Sequence, residues 1–137
     1  MFMCDLSIIV RGGQVYSTRK LADFGINAAD EYILMYLLGH SNTNQDAIAK
    51  FLMLDKGSVA RSLQKLESKG FISRKINDKN QREKVITLTQ KAFDLKDVLT
   101  TLLVDWRKEM YQGLTQDEIS TFEKTLEKLA DNVSKIL

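Results

Sequence analysis

The chain has 137 residues, of which 44% are hydrophobic and 28% are charged, and its formal net charge is +2. This balance is typical of one globular domain with a hydrophobic core, and no run approaches the about 20 apolar residues of a transmembrane helix. A single cysteine and a single histidine exclude an internal disulfide and a zinc cluster of Cys and His ligands. Because no basic region precedes the apolar N-terminus, we expect no secretory signal and predict a cytoplasmic location.

The N-terminal half is predicted to be helical, with asparagine and glycine at the boundaries. A first helical region ends at residues 24–27, and Asn27 is the predicted N-cap of a helix over residues 28–39. The polar run 40–44 ends that helix. A short helix from Gln45 to about Met53 follows, because its apolar residues recur at the spacing of one helical face.

A second short helix and a hairpin come next. Asp55 is the predicted N-cap of this helix, and Gly70 ends it. The β-branched runs 71–76 and 84–88 then predict two antiparallel strands. The seven polar residues 77–83 between them are too many for a tight turn and predict a projecting charged tip.

Two long amphipathic helices complete the chain. Thr89 is the predicted N-cap of a helix that runs to about Gln112, and Thr115 and Glu118 form the capping box of the last helix. The last helix carries an uninterrupted heptad seam made by Ile119, Phe122, Leu126, Leu129, Val133 and Ile136. An internal core would also use such a seam, but two such helices in a small chain favour a homodimer.

The charge is distributed unevenly. Residues 44–88 carry ten basic and five acidic groups, a net +5, and the rest of the chain is −3. Such asymmetry indicates a segment that faces a polyanion, although a solvated lysine-rich face is a common alternative.

The order of elements from Gln45 to Arg82 predicts a winged helix-turn-helix that binds double-stranded DNA. In this arrangement the second helix enters the major groove. Two ordinary packed helices would explain the apolar residues equally well, but not the polar face opposite them. That face carries Lys56, Ser58, Arg61, Gln64 and Lys65.

The predicted DNA contacts are of three kinds. Ser58, Arg61 and Gln64 are placed to reach base edges, and Arg82 at the wing suits a minor groove. The remaining predicted contacts neutralise phosphates and are made by Lys56, Lys65, Lys79 and Lys84.

These stretches resemble the MarR family of winged helix-turn-helix transcriptional regulators. The resemblance is carried by QDAIAKFL at 45–52, DKGSVARSLQKLESKGFI at 55–72, and Arg82 followed by VITLT at 85–89. It implies a mainly α fold with a small β-hairpin wing, as a homodimer on a pseudo-palindromic operator. Repression, with release by a small effector or by oxidation, is also implied. The family usually has aspartate two residues before the wing arginine, whereas this chain has Asn80, so Asp78 would have to hold Arg82.

The resemblance predicts a single domain over residues 1–137. Within it, residues 28–88 form the DNA-binding lobe, and residues 1–27 and 89–137 form the dimerisation helices. Members of the family bind aromatic anions in a cleft, and residues able to line one here are Tyr16, Tyr32, Tyr36, His40 and Trp106. Aromatic residues at helical spacing are also common in cores, so that alternative stays open.

Cys4 is a candidate redox residue, because peroxide-sensing members of the family carry a reactive cysteine near the start of the first helix. The alternative for a lone cysteine is a small buried hydrophobic residue. We predict no enzyme, cofactor or metal site, because the carboxylates are scattered and no phosphate-binding glycine loop occurs. The alternative function is a winged-helix module that binds proteins and not specific DNA.

Overall fold

The computed structural model describes the backbone of residues 1–137 and the side chains of residues 1–80 and 82–137. The predicted fold class, mainly α with one hairpin, is confirmed. The elements in chain order are α1 (Phe2–Lys20), a 3-10 turn (Ala22–Phe24), α2 (Ala28–Gly39), α3 (Gln45–Leu52), α4 (Lys56–Ser68), β1 (Ile72–Asn77), β2 (Asn80–Leu88), α5 (Gln90–Met110) and α6 (Gln116–Ile136). Within the described residues, no helix has the length and hydropathy needed to span a membrane.

The chain forms two compact units, residues 1–103 and residues 104–137. The first unit has a core built from α2, α3, α4, the hairpin and the first turns of α5. Its fully buried large apolar side chains are Leu21, Ile33, Leu34, Ile48, Val59, Leu63, Leu66, Ile86 and Leu99. Burial of each such side chain stabilises the fold by about 1.5–3 kcal/mol, so this core holds α3, α4 and the hairpin in fixed positions.

The helix boundaries of the first unit follow local capping signals. The Asn27 side chain accepts a hydrogen bond from the Asp30 amide at 3.1 Å, and the Asp30 carboxylate accepts one from the Asn27 amide at 2.8 Å. The Asp55 carboxylate accepts from the Ser58 amide at 2.8 Å and starts α4. Gly70 follows α4 with φ +80°, a left-handed conformation that glycine adopts without steric cost. The predicted N-caps Asn27 and Asp55 are therefore confirmed.

The turn between α3 and α4 is made by Met53, whose φ of +53° is unusual for a residue other than glycine. The following amide, that of Leu54, donates to the carbonyl of Ala49 at 3.0 Å. Ala49 is buried, and its small side chain lets the two helices cross closely. These contacts give α3 and α4 the helix-turn-helix arrangement.

The hairpin differs from the prediction at its tip. Asn77 pairs with Asn80 across a two-residue turn, so the expected seven-residue loop is wrong. The turn forms because the Asn77 side chain accepts from the Lys79 amide at 3.0 Å, a local bond that asparagine favours in turns. The register shifts beyond Ile76, which pairs with Lys84, and residues 81–83 of β2 therefore form a bulge.

The second unit contains the end of α5 and all of α6. The predicted capping box of α6 is confirmed, with the Glu118 amide donating to the Thr115 hydroxyl at 3.2 Å and the Glu118 carboxylate accepting from the Thr115 amide at 2.8 Å. The Tyr111 hydroxyl donates to Glu123 at 3.0 Å, and Arg107 forms an ion pair with the same carboxylate. These contacts join the two helices of this unit.

Candidate nucleic-acid interface

The N-terminal turn of α4 holds Arg61 through a short chain of hydrogen bonds. The Arg61 guanidinium donates to the Ser58 hydroxyl at 3.1 Å, and that hydroxyl donates to Asp55 at 2.5 Å. The hydrogen bond from the Ser58 hydroxyl, followed by that from its amide, lowers the pKa of Asp55. A Cβ at Gly57 would lie 3.3 Å from the Arg61 guanidinium, so glycine leaves room for this arrangement. Arg61 is exposed and is oriented by its own helix.

The other predicted contacts on α4 differ in their surroundings. Gln64 is exposed, and Lys56 lies 3.4 Å from Asp46 in a pair whose side chains are 77% and 76% exposed. Lys65, in contrast, is 2.5 Å from the Asp30 carboxylate, which is completely buried. The phosphate contact of Lys65 stays a prediction, and its ammonium group has a partner inside the protein.

The wing carries Lys79, Arg82 and Lys84, and all three are exposed. The Arg82 amide donates to the Asn80 side chain at 3.2 Å, so Asn80 holds the backbone of the arginine. The expected substitution by Asp78 is not observed, because no ion pair joins it to Arg82 among the described side chains.

Arg74 is a residue of the interface region that the sequence analysis did not single out. Its guanidinium binds Glu67 of α4 through two hydrogen bonds of 3.0 and 2.9 Å. These bonds lower the pKa of Glu67 and raise that of Arg74. Arg74 therefore fixes β1 to α4. Its position opposite the last turn of α4 is a signal that strand alternation alone does not supply.

A groove of about 690 Å³ lies between the wing and the start of α3. Its basic lining residues are Arg74, Arg82 and Lys84. The first residues of α3 complete this wall together with Asn44, the α3 N-cap. The groove thus places cationic side chains of the wing beside the helix-turn-helix.

Two of the predicted effector residues lie together. The rings of Tyr36 and His40 stack at 4.1 Å with an interplanar angle of 9°, and Phe51 joins them at 4.8 Å from Tyr36. The His40 Nδ1 atom is 2.9 Å from the Tyr36 carbonyl. Phe51 was missed by sequence reasoning, because only the tertiary structure brings α3 beside the end of α2.

The other candidate residues are more dispersed. Tyr32 lies beside Glu31 on α2, and burial together with this carboxylate raises the pKa of Tyr32. Tyr16 on α1 is half-buried, with the ammonium of Lys20 5.6 Å from its ring centre. Trp106 is half-buried and belongs to the second unit.

Cys4 and two apolar helix faces are exposed. Cys4 is a free thiol at the start of α1. The exposed apolar residues of α1 are Phe2, Met3, Ile8, Ile9, Val10 and Val15. Those of the α6 seam are Leu126, Leu129, Val133 and Ile136. Neither face has the polar character of a solvated helix surface.

Comparisons with known proteins agree with this geometry. Residues 26–84 match the model of the MarR family. The HTH-type transcriptional regulator BilQ of Clostridium symbiosum (strain WAL-14163) is 27% identical over 115 residues, which is 84% of this chain and 80% of that protein.

Solved structures show the same fold. A MarR transcriptional regulator from Methanosarcina mazei Go1 matches with a TM-score of 0.95 and 26% identity, over 99% of this chain and 98% of that chain. The S. aureus MepR–DNA complex matches with a TM-score of 0.85 and 24% identity, over 96% of this chain and 98% of that chain. The chain therefore belongs to the MarR family of winged helix-turn-helix transcriptional regulators.

Proposed function

We propose that this protein is a homodimeric repressor that binds a pseudo-palindromic DNA operator and releases it on binding an effector or on oxidation. The observation that carries the proposal is the pairing of two exposed arginines on separate rigid elements. Arg61 is oriented by the start of α4, and Arg82 lies on a wing that Arg74 fastens to the same helix. An exposed guanidinium on each element suits one base-reading contact and one minor-groove contact.

The contacts divide by their chemistry. Ser58, Arg61 and Gln64 of α4 read base edges in the major groove, and Arg82 enters the adjacent minor groove. The phosphate contacts are assigned to Lys56, Lys65, Lys79 and Lys84. The solved complex of MepR with DNA, which has the same fold, supports this use of the fold.

The dimer is supported by the exposed apolar faces of α1 and α6. Leu126 and Leu129 are 43% and 47% exposed although they occupy core positions of a heptad seam. A second copy would remove this apolar surface from water, and two-fold symmetry would set two recognition helices about one DNA turn apart. Residues 28–88 then serve as the DNA-binding lobe, and residues 1–27 and 89–137 as the dimerisation helices.

Control by an effector is assigned to the predicted aromatic residues. The stacked rings of Tyr36 and His40, with Phe51 beside them, offer a flat apolar surface for a small aromatic or anionic molecule. Oxidation of the exposed Cys4 is the second mode of control. The proposed regulator works in the cytoplasm, where its DNA partner lies.

The proposal is tested by selecting DNA fragments with the purified protein and titrating variants on the selected duplex and on a scrambled one. Arg61→Ala should cost about 1–3 kcal/mol on the selected duplex and little on the scrambled one. Lys79→Ala should weaken both and reduce the slope of log K against log salt by about 1. Lys124→Ala on α6 is the control and should change neither. If Arg61→Ala weakens both duplexes equally, the alternative of a protein-binding module gains support.

A further inference from the structure

The carboxylate of Glu83 joins the wing to the helix-turn-helix. One of its oxygens accepts a hydrogen bond from the side-chain amide of Asn44, and the other accepts one from the side-chain amide of Asn77 at 3.0 Å. Asn44 is also the N-cap of α3, where its oxygen accepts from the Ala47 amide at 2.8 Å. Glu83 therefore connects the end of β1, the bulge of β2 and the start of α3 through a single side chain.

A second contact lies close to this connection. The Ile86 amide donates to the Thr43 carbonyl at 2.8 Å, in an isolated bridge between β2 and the loop before α3. Ile86 is buried and anchors the base of the wing. Glu83 lies three residues nearer the tip, within the bulge 81–83, where β1 offers no regular pairing. Its two hydrogen bonds thus hold the part of β2 that the strand ladder does not.

Arg82 is the residue that this connection affects. It precedes Glu83 in the bulge, and its amide is held by the Asn80 side chain at 3.2 Å. A guanidinium contributes most to affinity when its backbone is ordered before binding, because the protein then loses less conformational entropy in the complex. A carboxylate beside a polyanion is also unfavourable unless it is held by donors.

We infer that Glu83 is a positioning residue, which orders the wing bulge through Asn44 and Asn77 and so directs Arg82 toward the minor groove. The inference rests on the proposed DNA-binding function. It assigns to a negative residue at a basic interface a role that its charge alone would oppose.

The test compares Glu83→Gln with Glu83→Met. Both variants lose the same negative charge, but glutamine retains an oxygen that accepts from an asparagine amide and methionine does not. On a duplex with A/T-rich flanks, Glu83→Gln should bind about 5-fold more tightly than Glu83→Met, the effect of one hydrogen bond. On G/C-rich flanks, where the wing arginine contributes less, this ratio should be close to one.

The same pair in an Arg82→Ala background identifies the route of the effect. If Glu83 acts through Arg82, the ratio between the glutamine and methionine variants falls to about one when Arg82 is absent. A ratio that stays near 5-fold there would overturn the inference, because Glu83 would then act on general wing stability. An equal affinity of the two variants in the wild-type background would overturn it as well.

Asn44→Ser supplies an independent variant. Serine retains the N-cap acceptor of α3 but lacks the amide that donates to Glu83. On A/T-rich flanks this variant should lose affinity about as much as Glu83→Met loses relative to Glu83→Gln. Full affinity of Asn44→Ser would contradict the inference.

Amide hydrogen exchange of the DNA-free protein separates this inference from the proposed function. Glu83→Met should raise exchange at residues 82–86 and leave that of α4 unchanged, whereas Glu83→Gln should raise it less. Unchanged exchange in both variants would overturn the ordering role. Raised exchange with no flank dependence of any variant, including Arg82→Ala, would instead refute the proposed minor-groove contact and with it the positioning of Arg82.

Discussion

We expect Lys65→Met to lower the free energy of unfolding by about 3 kcal/mol, the low end of the range for removing one partner of a buried ion pair. Lys65 lies 2.5 Å from Asp30, whose side chain is entirely buried. The Lys65 side chain itself is 35% exposed, so its removal costs little directly. The cost arises because Asp30 is left as a buried charge. The low end applies because the Asn27 amide still donates to the same carboxylate at 2.8 Å.

Lys56→Met is the matched control on the same helix. It removes the same charge and adds the same thioether, but its partner Asp46 is 3.4 Å away and both side chains are more than three-quarters exposed. Exposed pairs of this kind contribute about 0–1 kcal/mol. The double variant Lys65→Met/Asp30→Asn should recover part of the loss, because no buried charge remains.

Urea denaturation followed by circular dichroism measures these differences, at one protein concentration because dimerisation would couple to unfolding. DNA titration at several salt concentrations gives the second measurement. If the ammonium stays with Asp30, Lys65→Met leaves the slope of log K against log salt unchanged. A stability loss no larger than that of Lys56→Met, together with a slope reduced by about 1, would refute the structural role and support the phosphate contact predicted from the sequence.

Three further predictions concern the dimer, a buried carboxylate and the thiol. Replacing Leu126 and Leu129 by glutamate should give a monomer in sedimentation velocity and abolish operator binding, whereas an unchanged dimer would place the interface elsewhere. Burial raises the pKa of Glu31, so ionisation of Glu31 opposes folding above that raised pKa and has no effect below its ordinary value near 4.5. Glu31→Gln should therefore stabilise the protein by on the order of 1 kcal/mol near neutral pH and much less in acid, and an equal gain at both pH values would contradict this cause. Peroxide should lower the DNA affinity of the wild type but not that of Cys4→Ser, and an equal response of both would remove Cys4 from the control of binding.

Local signals predicted most of the helix boundaries. The caps at Asn27, Asp55 and Thr115 each depend on hydrogen bonds between residues three apart. A segment of that length contains all the groups that the interaction needs, so the amino-acid pattern alone identifies it. The apolar spacing of α3 and α4 was equally informative, because helical periodicity determines which side chains share a face.

The wing tip shows where local reasoning ended. Seven polar residues indicated a long loop, yet Asn77 pairs with Asn80 and the extra residues enter a bulge of β2. The placement of that bulge depends on Ile76 pairing with Lys84 and on Glu83 meeting an asparagine of another element. Composition indicates that a turn is present, but strand register depends on the partner strand.

The amino-acid sequence by itself determined the order of elements, the basic character of residues 44–88 and the polar face of α4. Only the tertiary structure decided which of those charges face inward. Lys65 and Glu83 looked like ordinary surface charges, but one reaches Asp30 and the other reaches Asn44, 39 residues away. Periodicity assigns a residue to a face, whereas ion pairs and hydrogen bonds depend on distances of about 3 Å between atoms that packing brings together.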